Sequence, residues 1–274
     1  MKAILKKLFI GEFSWKRVIT SLILIPVAVY IGLFIIALFF ADKAIFRPQS
    51  SSYKDDPDII KLKIPTGESI SAKHYQNPDA EYTILFSHGN AEDIGDIESL
   101  IWYIRDAGFN VLTYDYRGYG TSEGSPSEKN SYEDINTAYR YLTDLGIEPD
   151  KIILQGRSLG GGPSVDLAAR EPVGGLIMES TFTSAFRVVT RIKLLPFDKF
   201  DNINKIDRVT CPVLVIHGKE DRTIDFHHGE ALFAAAPRGK FSLWVDNAGH
   251  NDLLDKAAES YLTAIRDFTE KLNK

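Results

Sequence analysis

The sequence predicts an α/β domain with a mostly parallel sheet, because segments typical of strands and of helices alternate along most of its 274 residues. Short β-branched runs at residues 110–115, 152–155 and 175–179 favour strands, and residues 132–145 carry a helical pattern. A second observation is a Gly-rich turn around Ser158, where a strand pattern gives way to a helix pattern. A third is an uncharged apolar stretch of 23 residues near the beginning of the chain.

The apolar stretch predicts a membrane anchor. Residues 1–17 are basic, and the uncharged residues 18–40 would span about 34 Å as a helix, more than the roughly 30 Å of a bilayer core. A cleaved signal peptide is the alternative, but its apolar core has only about 7–15 residues, and no small-residue cleavage site follows here. We therefore expect a retained single-pass signal anchor, followed by a linker at residues 41–58 that is rich in Ser, Pro and Asp.

The charges on either side of the anchor predict its orientation. Five Lys or Arg residues precede the apolar stretch, and three follow it within an equal window. An excess of these residues marks the cytoplasmic side of a membrane. We expect a cytoplasmic N terminus, with the rest of the chain on the exoplasmic side, which is periplasmic or lumenal.

Residues 59–274 have the size and composition of one domain with one large core, since 44% of the whole chain is hydrophobic and 25% charged. The domain opens with a hairpin pattern, and residues 180–207 form a short cap segment rich in apolar residues. Those residues either line a channel for an acyl chain or pack the cap against the domain. The net charge of −5 argues against nucleic-acid binding, and the single cysteine, Cys211, permits no internal disulfide.

The turn Gly156-Arg157-Ser158-Leu159-Gly160 has the pattern of a nucleophile elbow, in which a sharp strand-to-helix turn exposes the serine hydroxyl. Glycines suit such a turn because they have no Cβ where neighbouring backbone passes closely. A serine hydroxyl is a weak nucleophile near neutral pH, so Ser158 needs an imidazole as a base and a carboxylate that orients the imidazole.

Two later loops supply these partners. Asp221 follows the strand pattern of residues 211–218, and His250 follows that of residues 241–245. Loops beyond the carboxyl ends of parallel strands share one crevice, so Ser158, Asp221 and His250 are expected to meet there. Two other carboxylates remain candidates: Glu179 follows a strand pattern, and Asp225 has the position of a helix cap. Both rank below Asp221.

An acyl-transfer site also needs donors for the oxyanion that develops on the substrate carbonyl. The backbone N–H of Leu159, directly after the serine, is one candidate donor. The backbone N–H of Asn90, in the turn after the strand pattern of residues 83–87, is the other. The same turn also has a structural interpretation, as the entry to a helix from about Glu92; the two interpretations are compatible.

Five motifs, in this order along the chain, resemble those of membrane-associated α/β-hydrolase-domain (ABHD) proteins. They are SHGNA at 87–91, DYRGYG at 115–120, GRSLG at 156–160, PVLVIHG at 212–218 and AGHND at 248–252. The resemblance covers about residues 60–272 and implies an α/β-hydrolase fold, with an eight-stranded, mostly parallel sheet and helices on both faces. In that family the matching Ser, Asp and His form a catalytic triad, which coincides with Ser158, Asp221 and His250.

The resemblance also bears on activity. Some members of the family remove palmitate from protein cysteines, and others are called serine aminopeptidase-like. The depalmitoylase branch is tethered through palmitoylated cysteines near its N terminus, whereas this chain has no cysteine before Cys211 and resembles the branch with a single N-terminal anchor.

The sequence thus predicts a membrane-anchored serine hydrolase that cleaves carboxylic esters or thioesters of lipids or acylated proteins through an acyl-enzyme. A serine peptidase and a non-catalytic membrane scaffold remain the alternatives. We expect membrane lipid as a partner and no nucleic acid. No metal-ligand spacing, dinucleotide fingerprint or phosphate-loop motif occurs in the sequence, so we expect neither a cofactor nor a metal.

Overall fold

The computed structural model describes residues 15–237 and 239–272 and divides the chain into two compact units, Met1–Ala41 and Asp42–Lys274. Helix α1 runs from Trp15 to Ile45, and its residues Val18–Ile45, with a mean hydropathy of 2.9, are long and apolar enough to cross a membrane. The helix extends beyond the predicted span of residues 18–40. Most of the predicted basic segment, residues 1–17, lies outside the described residues.

The remaining described helices and strands alternate, as the sequence pattern predicts. The strands are Ile59–Lys63 (β1), Ser69–Tyr75 (β2), Thr83–Ser87 (β3), Asn110–Tyr114 (β4), Ile152–Arg157 (β5), Gly175–Glu179 (β6), Val213–Gly218 (β7) and Lys240–Val245 (β8). The helices after α1 are Glu98–Asp106 (α2), Glu128–Asp144 (α3), Gly161–Ala168 (α4), Ala185–Val189 (α5), His227–Ala235 (α6) and Leu253–Glu270 (α7).

The eight strands form one sheet in the order β1-β2-β4-β3-β5-β6-β7-β8. Strand β2 is antiparallel to both of its neighbours, and every pair from β4 to β8 is parallel. Successive residues of β3 alternate between two cores: Leu85 packs on the face that α3, α4 and α6 cover, whereas Ile84 and Phe86 pack on the face of α2 and α7. The predicted α/β-hydrolase fold with helices on both faces is confirmed.

Helix α2 begins later than expected. The sequence predicts a helix from about Glu92, but residues 92 and 93 are irregular, residues 94–97 form a turn and α2 begins at Glu98. The carboxylate of Asp93 accepts hydrogen bonds from the backbone N–H groups of Gly95 (3.0 Å) and Asp96 (3.2 Å). Such local bonds stabilise a turn in competition with a helix.

The cap segment divides its apolar residues between two environments. Phe182 and Phe200 are buried and belong to the core, with their rings 6.3 Å apart. Val189 and Ile192 are 88% and 66% exposed. Part of the cap therefore packs against the domain, and its tip carries exposed apolar surface.

Residues 46–58, which the sequence indicates as a linker, lie on the domain surface and make specific contacts there. Phe46 is only 4% exposed, and its ring lies 5.9 Å from that of Phe200 and 6.4 Å from that of Tyr119. Tyr53 donates a hydrogen bond to the buried carboxylate of Asp115. The segment is therefore part of the folded domain.

Candidate active site

Ser158 lies at the tip of a sharp turn between β5 and α4. Its φ of 52° is in the left-handed region, which a non-glycine residue adopts at a cost in energy. A Cβ on Gly160 would overlap the carbonyl oxygen of Ser87, and one on Gly156 would overlap that of Gly160. The two glycines thus let β5 turn tightly into the helix, and Ser158 occupies the strained position expected of a nucleophile elbow.

The structure brings Ser158, His250 and Asp221 into one hydrogen-bonded chain. His250, in the loop after β8, has its Nε2 atom 3.0 Å from Ser158 Oγ. Its Nδ1 atom lies 2.7 Å from Oδ2 of Asp221, which follows β7. If Nδ1 carries the proton that the carboxylate accepts, Nε2 is left as the acceptor for the serine hydroxyl, which is the arrangement of a catalytic triad.

Asp221 is held in place by more than His250. Its Oδ1 atom accepts hydrogen bonds from the backbone N–H groups of Thr223 and Ile224, both at 2.8 Å, and Nε2 of His217 lies 3.4 Å from Oδ2. Burial favours the protonated acid, but the hydrogen bonds from His217 and His250 outweigh it and hold the pKa of Asp221 below its usual value. The carboxylate is therefore charged at neutral pH.

The other two candidate acids have different partners. Oε2 of Glu179 accepts hydrogen bonds from the Tyr261 hydroxyl at 2.7 Å and from Nε2 of Gln155 at 3.2 Å. Asp225 accepts a hydrogen bond from the backbone N–H of His227, the first residue of α6, and lies 2.7 Å from its Nδ1 atom. Neither carboxylate contacts His250, whereas Asp221 does.

The turn after β3 passes close to Ser158. A Cβ on Gly89 would lie 3.6 Å from that of Ser158. The N–H of Gly89 is bonded to Glu92 Oε1 (2.5 Å) and that of Ala91 to Asn90 Oδ1 (3.1 Å). Between them, the N–H of Asn90 has no hydrogen-bond partner within residues 15–237 and 239–272. The turn that passes Ser158 therefore carries a backbone N–H, on Asn90, for which the described residues provide no hydrogen-bond partner.

Three residues around this site have roles that sequence reasoning missed. Arg157, directly before Ser158, lies 3.5 Å from Glu92 and 3.7 Å from Glu179, so it links the β3 and β6 loops to the elbow. His217 lies against the Asp221 loop, with its Nε2 atom 2.8 Å from the carbonyl oxygen of Ile224 and 3.4 Å from Oδ2 of Asp221. Tyr119 contacts the Asn90 side chain. The sequence offers no signal for the contacts of Arg157 and Tyr119, because the residues that meet are far apart along the chain. The contact of His217 with Asp221 depends on how the loop after β7 folds back.

The described residues contain no group of three His, Cys, Asp or Glu side chains placed to hold a metal ion.

Comparison with known proteins connects this site to a family. Residues 78–196 match the family described as "Serine aminopeptidase, S33". The chain is 43% identical over 229 residues to α/β-hydrolase domain-containing protein 17B of Homo sapiens, covering 81% of this chain and 78% of the relative. It is 46% identical over 222 residues to protein 17C of Xenopus tropicalis, covering 78% and 70% of the two chains.

Solved structures share the fold at lower identity. An esterase of Pyrococcus furiosus superposes with a TM-score of 0.68 at 18% identity, over 82% of this chain and 98% of the esterase. A bromoperoxidase of Bacillus anthracis superposes with a TM-score of 0.61 at 16% identity, over 77% and 99%. Such different enzymes on one architecture indicate that the fold alone does not fix the reaction.

Proposed function

Because this chain belongs to the family of α/β-hydrolase domain-containing proteins, we propose that it is a serine hydrolase that cleaves carboxylic esters or thioesters through an acyl-enzyme. The observation that carries the proposal is the hydrogen-bonded chain from Ser158 Oγ to His250 to Asp221, with spacings of 3.0 and 2.7 Å. The left-handed φ of Ser158 supports the proposal as well, because strained backbone of this kind clusters at active sites.

In the acylation step, Ser158 Oγ attacks the substrate carbonyl carbon while Nε2 of His250 takes the hydroxyl proton. The charged Asp221 stabilises the imidazolium that forms. The carbonyl oxygen gains negative charge and is bound by the backbone N–H groups of Asn90 and Leu159, which together form the oxyanion hole. The tetrahedral intermediate collapses to the acyl-enzyme, and the imidazolium gives its proton to the departing alcohol or thiol.

In the deacylation step, a water molecule takes the place of the leaving group. His250 Nε2 removes a proton from this water as it attacks the acyl carbon, and the same oxyanion hole holds the second intermediate. Collapse releases the carboxylic acid and returns the proton to Ser158 Oγ. His250 and Ser158 are thereby restored for another cycle.

The membrane context supports lipids or acylated proteins as substrates. Helix α1 is long and apolar enough to anchor the chain, as residues 18–40 of the sequence predict. We propose a basic segment at 1–17, an anchor at 18–40, a connecting segment at 41–58 and a catalytic domain at 59–274 with a cap at 180–207. The excess of basic residues before the anchor favours an exoplasmic catalytic domain. Protection of this domain from protease added to intact cells would contradict that orientation.

The test is hydrolysis of p-nitrophenyl esters and acyl thioesters of graded chain length by the detergent-solubilised protein, beside Ser158→Ala. We expect turnover of both substrate types by wild type only. Equal turnover by the variant would remove Ser158 from the mechanism.

The second candidate is a serine peptidase, which the match to the aminopeptidase description favours. The same triad can cleave an amide, so a direct comparison of rates decides between the two. Faster cleavage of aminoacyl amides than of p-nitrophenyl esters would support the peptidase. A folded protein that cleaves neither would support the non-catalytic scaffold.

A further inference from the structure

Residues 46–53, here called the strap, follow the last residue of α1 and lie against the turn that carries Asn90. The Asn90 carboxamide binds the chain at the start of the strap in both directions: Nδ2 donates to the carbonyl of Ile45 (2.5 Å), and Oδ1 accepts from the N–H of Arg47 (2.9 Å). The Tyr119 hydroxyl donates to the same Oδ1 atom at 2.6 Å and accepts from Arg47 N–H at 3.0 Å. One side chain thus ties the strap, Tyr119 and the turn together.

The C-terminal end of the strap, Ser52 and Tyr53, binds the rest of the loop between β3 and α2, directly or through Asp115. The N–H and the hydroxyl of Ser52 both donate to the carboxylate of Asp93. Tyr53 donates to Oδ2 of Asp115 at 2.5 Å, and Oδ1 of Asp115 accepts from the N–H of Ile94 at 2.9 Å. The strap is therefore attached at both ends to the loop between β3 and α2.

These attachments matter because of the backbone conformation of the turn. Ala91 has a φ of 61°, which is costly for a residue with a Cβ and persists only when surrounding contacts hold it. The neighbouring N–H of Asn90 has no hydrogen-bond partner in the described parts of the chain. A change of φ at this turn would change the direction of that N–H relative to the elbow.

We propose that the strap and Tyr119 act as a positioning element for the oxyanion hole, through the side chain of Asn90. This inference rests on the proposed function. The Asn90 side chain holds the turn, and its backbone N–H binds the developing oxyanion. The sequence predicts only a connecting segment between anchor and domain, whereas the contacts assign it a part in catalysis.

The test is the steady-state kinetics of Asn90→Ala, Tyr119→Phe and Tyr53→Phe with a p-nitrophenyl ester, in the full-length protein in detergent. Each variant keeps every backbone N–H and removes only a side-chain tie. A misplaced oxyanion donor weakens binding of the transition state and not of the substrate. We therefore expect kcat to fall about 10-fold to 100-fold for Asn90→Ala, less for each tyrosine, and KM to change less than about threefold.

The matched control is Tyr139→Phe. Tyr139 is buried, and its hydroxyl donates to the carbonyl of Pro172 at 2.8 Å. Pro172 precedes β6 whereas Ser158 follows β5, so this bond lies at the opposite end of the parallel strands from Ser158. This variant loses a comparable hydrogen bond. It therefore measures how far the loss of one tyrosine hydrogen bond lowers Tm when the oxyanion hole is not affected. We expect its kcat to equal that of wild type.

Three results would overturn the inference, and they are distinguishable. If wild type has no turnover that depends on Ser158, the proposed function fails and this inference fails with it. If wild type is active and the kcat of Asn90→Ala and Tyr119→Phe matches that of Tyr139→Phe, only the positioning role is wrong. A fall in kcat in step with the fall in Tm, including for Tyr139→Phe, would likewise reduce the strap to a stabilising role.

Discussion

At the scale of single residues, the position of Asp221 decides which carboxylate serves His250. Four hydrogen-bonding groups converge on it: the side chains of His217 and His250 and the N–H groups of Thr223 and Ile224. They keep the carboxylate ionised and fix the direction in which it faces the imidazole. Glu179 is as deeply buried, but its partners are Tyr261 and Gln155.

Replacing Asp221 by Asn therefore has a defined expected effect. An amide can donate to His250 Nδ1 and stabilise the tautomer with the proton on Nε2, which cannot accept the proton of Ser158. We expect kcat/KM for an ester to fall by about 10⁴-fold. Glu179→Gln and Asp225→Asn are the matched controls, measured in the same assay. A larger loss in either control than in Asp221→Asn would mean that the acid has been assigned wrongly.

At the scale of elements, sequence patterns predicted the features of strands and loops that depend on residues adjacent along the chain. Strands β3 and β6 match the expected bounds. A short β-branched run between turns favours a strand through its own residues, without reference to distant parts of the chain. The loops that bring Ser158, Asp221 and His250 together follow from the direction of parallel strands. The expected helix from Glu92 failed because the Asp93 carboxylate stabilises a turn there.

The strap is the element that sequence reasoning described least well. Its Ser, Pro and Asp content is that of a linker, and its contacts with Asn90, Asp93 and Asp115 join residues 40 or more positions apart. Local composition carries no information about such pairings. The brace of His217 on Asp221 was missed for a related reason, since the contact depends on how the loop after β7 folds back.

The contact between α6 and the cap segment predicts a pH dependence. Nδ1 of His228 lies 3.0 Å from the Thr183 hydroxyl oxygen and 3.3 Å from the Thr183 backbone nitrogen. Because a backbone N–H can only donate, Nδ1 is the acceptor and carries no proton, so His228 is neutral. Burial, with a smaller contribution from His227 and His217, lowers the pKa of His228 to about 4. The unfolded chain, with a His pKa of about 6.5, binds the proton first as pH falls.

The contribution of neutral His228 to the free energy of unfolding is therefore fully present above pH 6.5. It is lost as the pH falls towards 4, which lowers the free energy of unfolding by about 2–3 kcal/mol. Thermal unfolding between these pH values measures it. We expect His228→Asn, which cannot be protonated, to lose less Tm over this range than wild type, and the exposed His227→Asn to keep most of the wild-type loss. Identical pH slopes for wild type and His228→Asn would contradict this explanation.

At the scale of the whole molecule, the boundary between the two units falls between Ala41 and Asp42, within the last turns of α1 and before the strap. The strap lies entirely within the second unit. Deleting residues 1–41 should therefore release a soluble domain that hydrolyses a short ester with the kcat of the full-length protein. Deleting residues 1–53 also removes the strap, and kcat should fall with it.

This pair of truncations separates anchoring from catalysis. A folded but inactive product of the shorter deletion would mean that the anchor helix itself contributes to the site. Equal kcat for the two truncations would contradict the role given to the strap. Circular dichroism and thermal unfolding confirm that each product is folded.

The central claim is that Ser158 is an activated nucleophile, and covalent labelling with a fluorophosphonate probe tests it most directly. The probe phosphonylates a serine whose hydroxyl proton can be taken by a neighbouring base, and its phosphoryl oxygen needs the oxyanion hole. The comparison is between wild type and Ser158→Ala, with thermal unfolding as the check that both are folded. We predict labelling of wild type and none of the variant; folded wild type that stays unlabelled, or a variant labelled equally, would contradict the account.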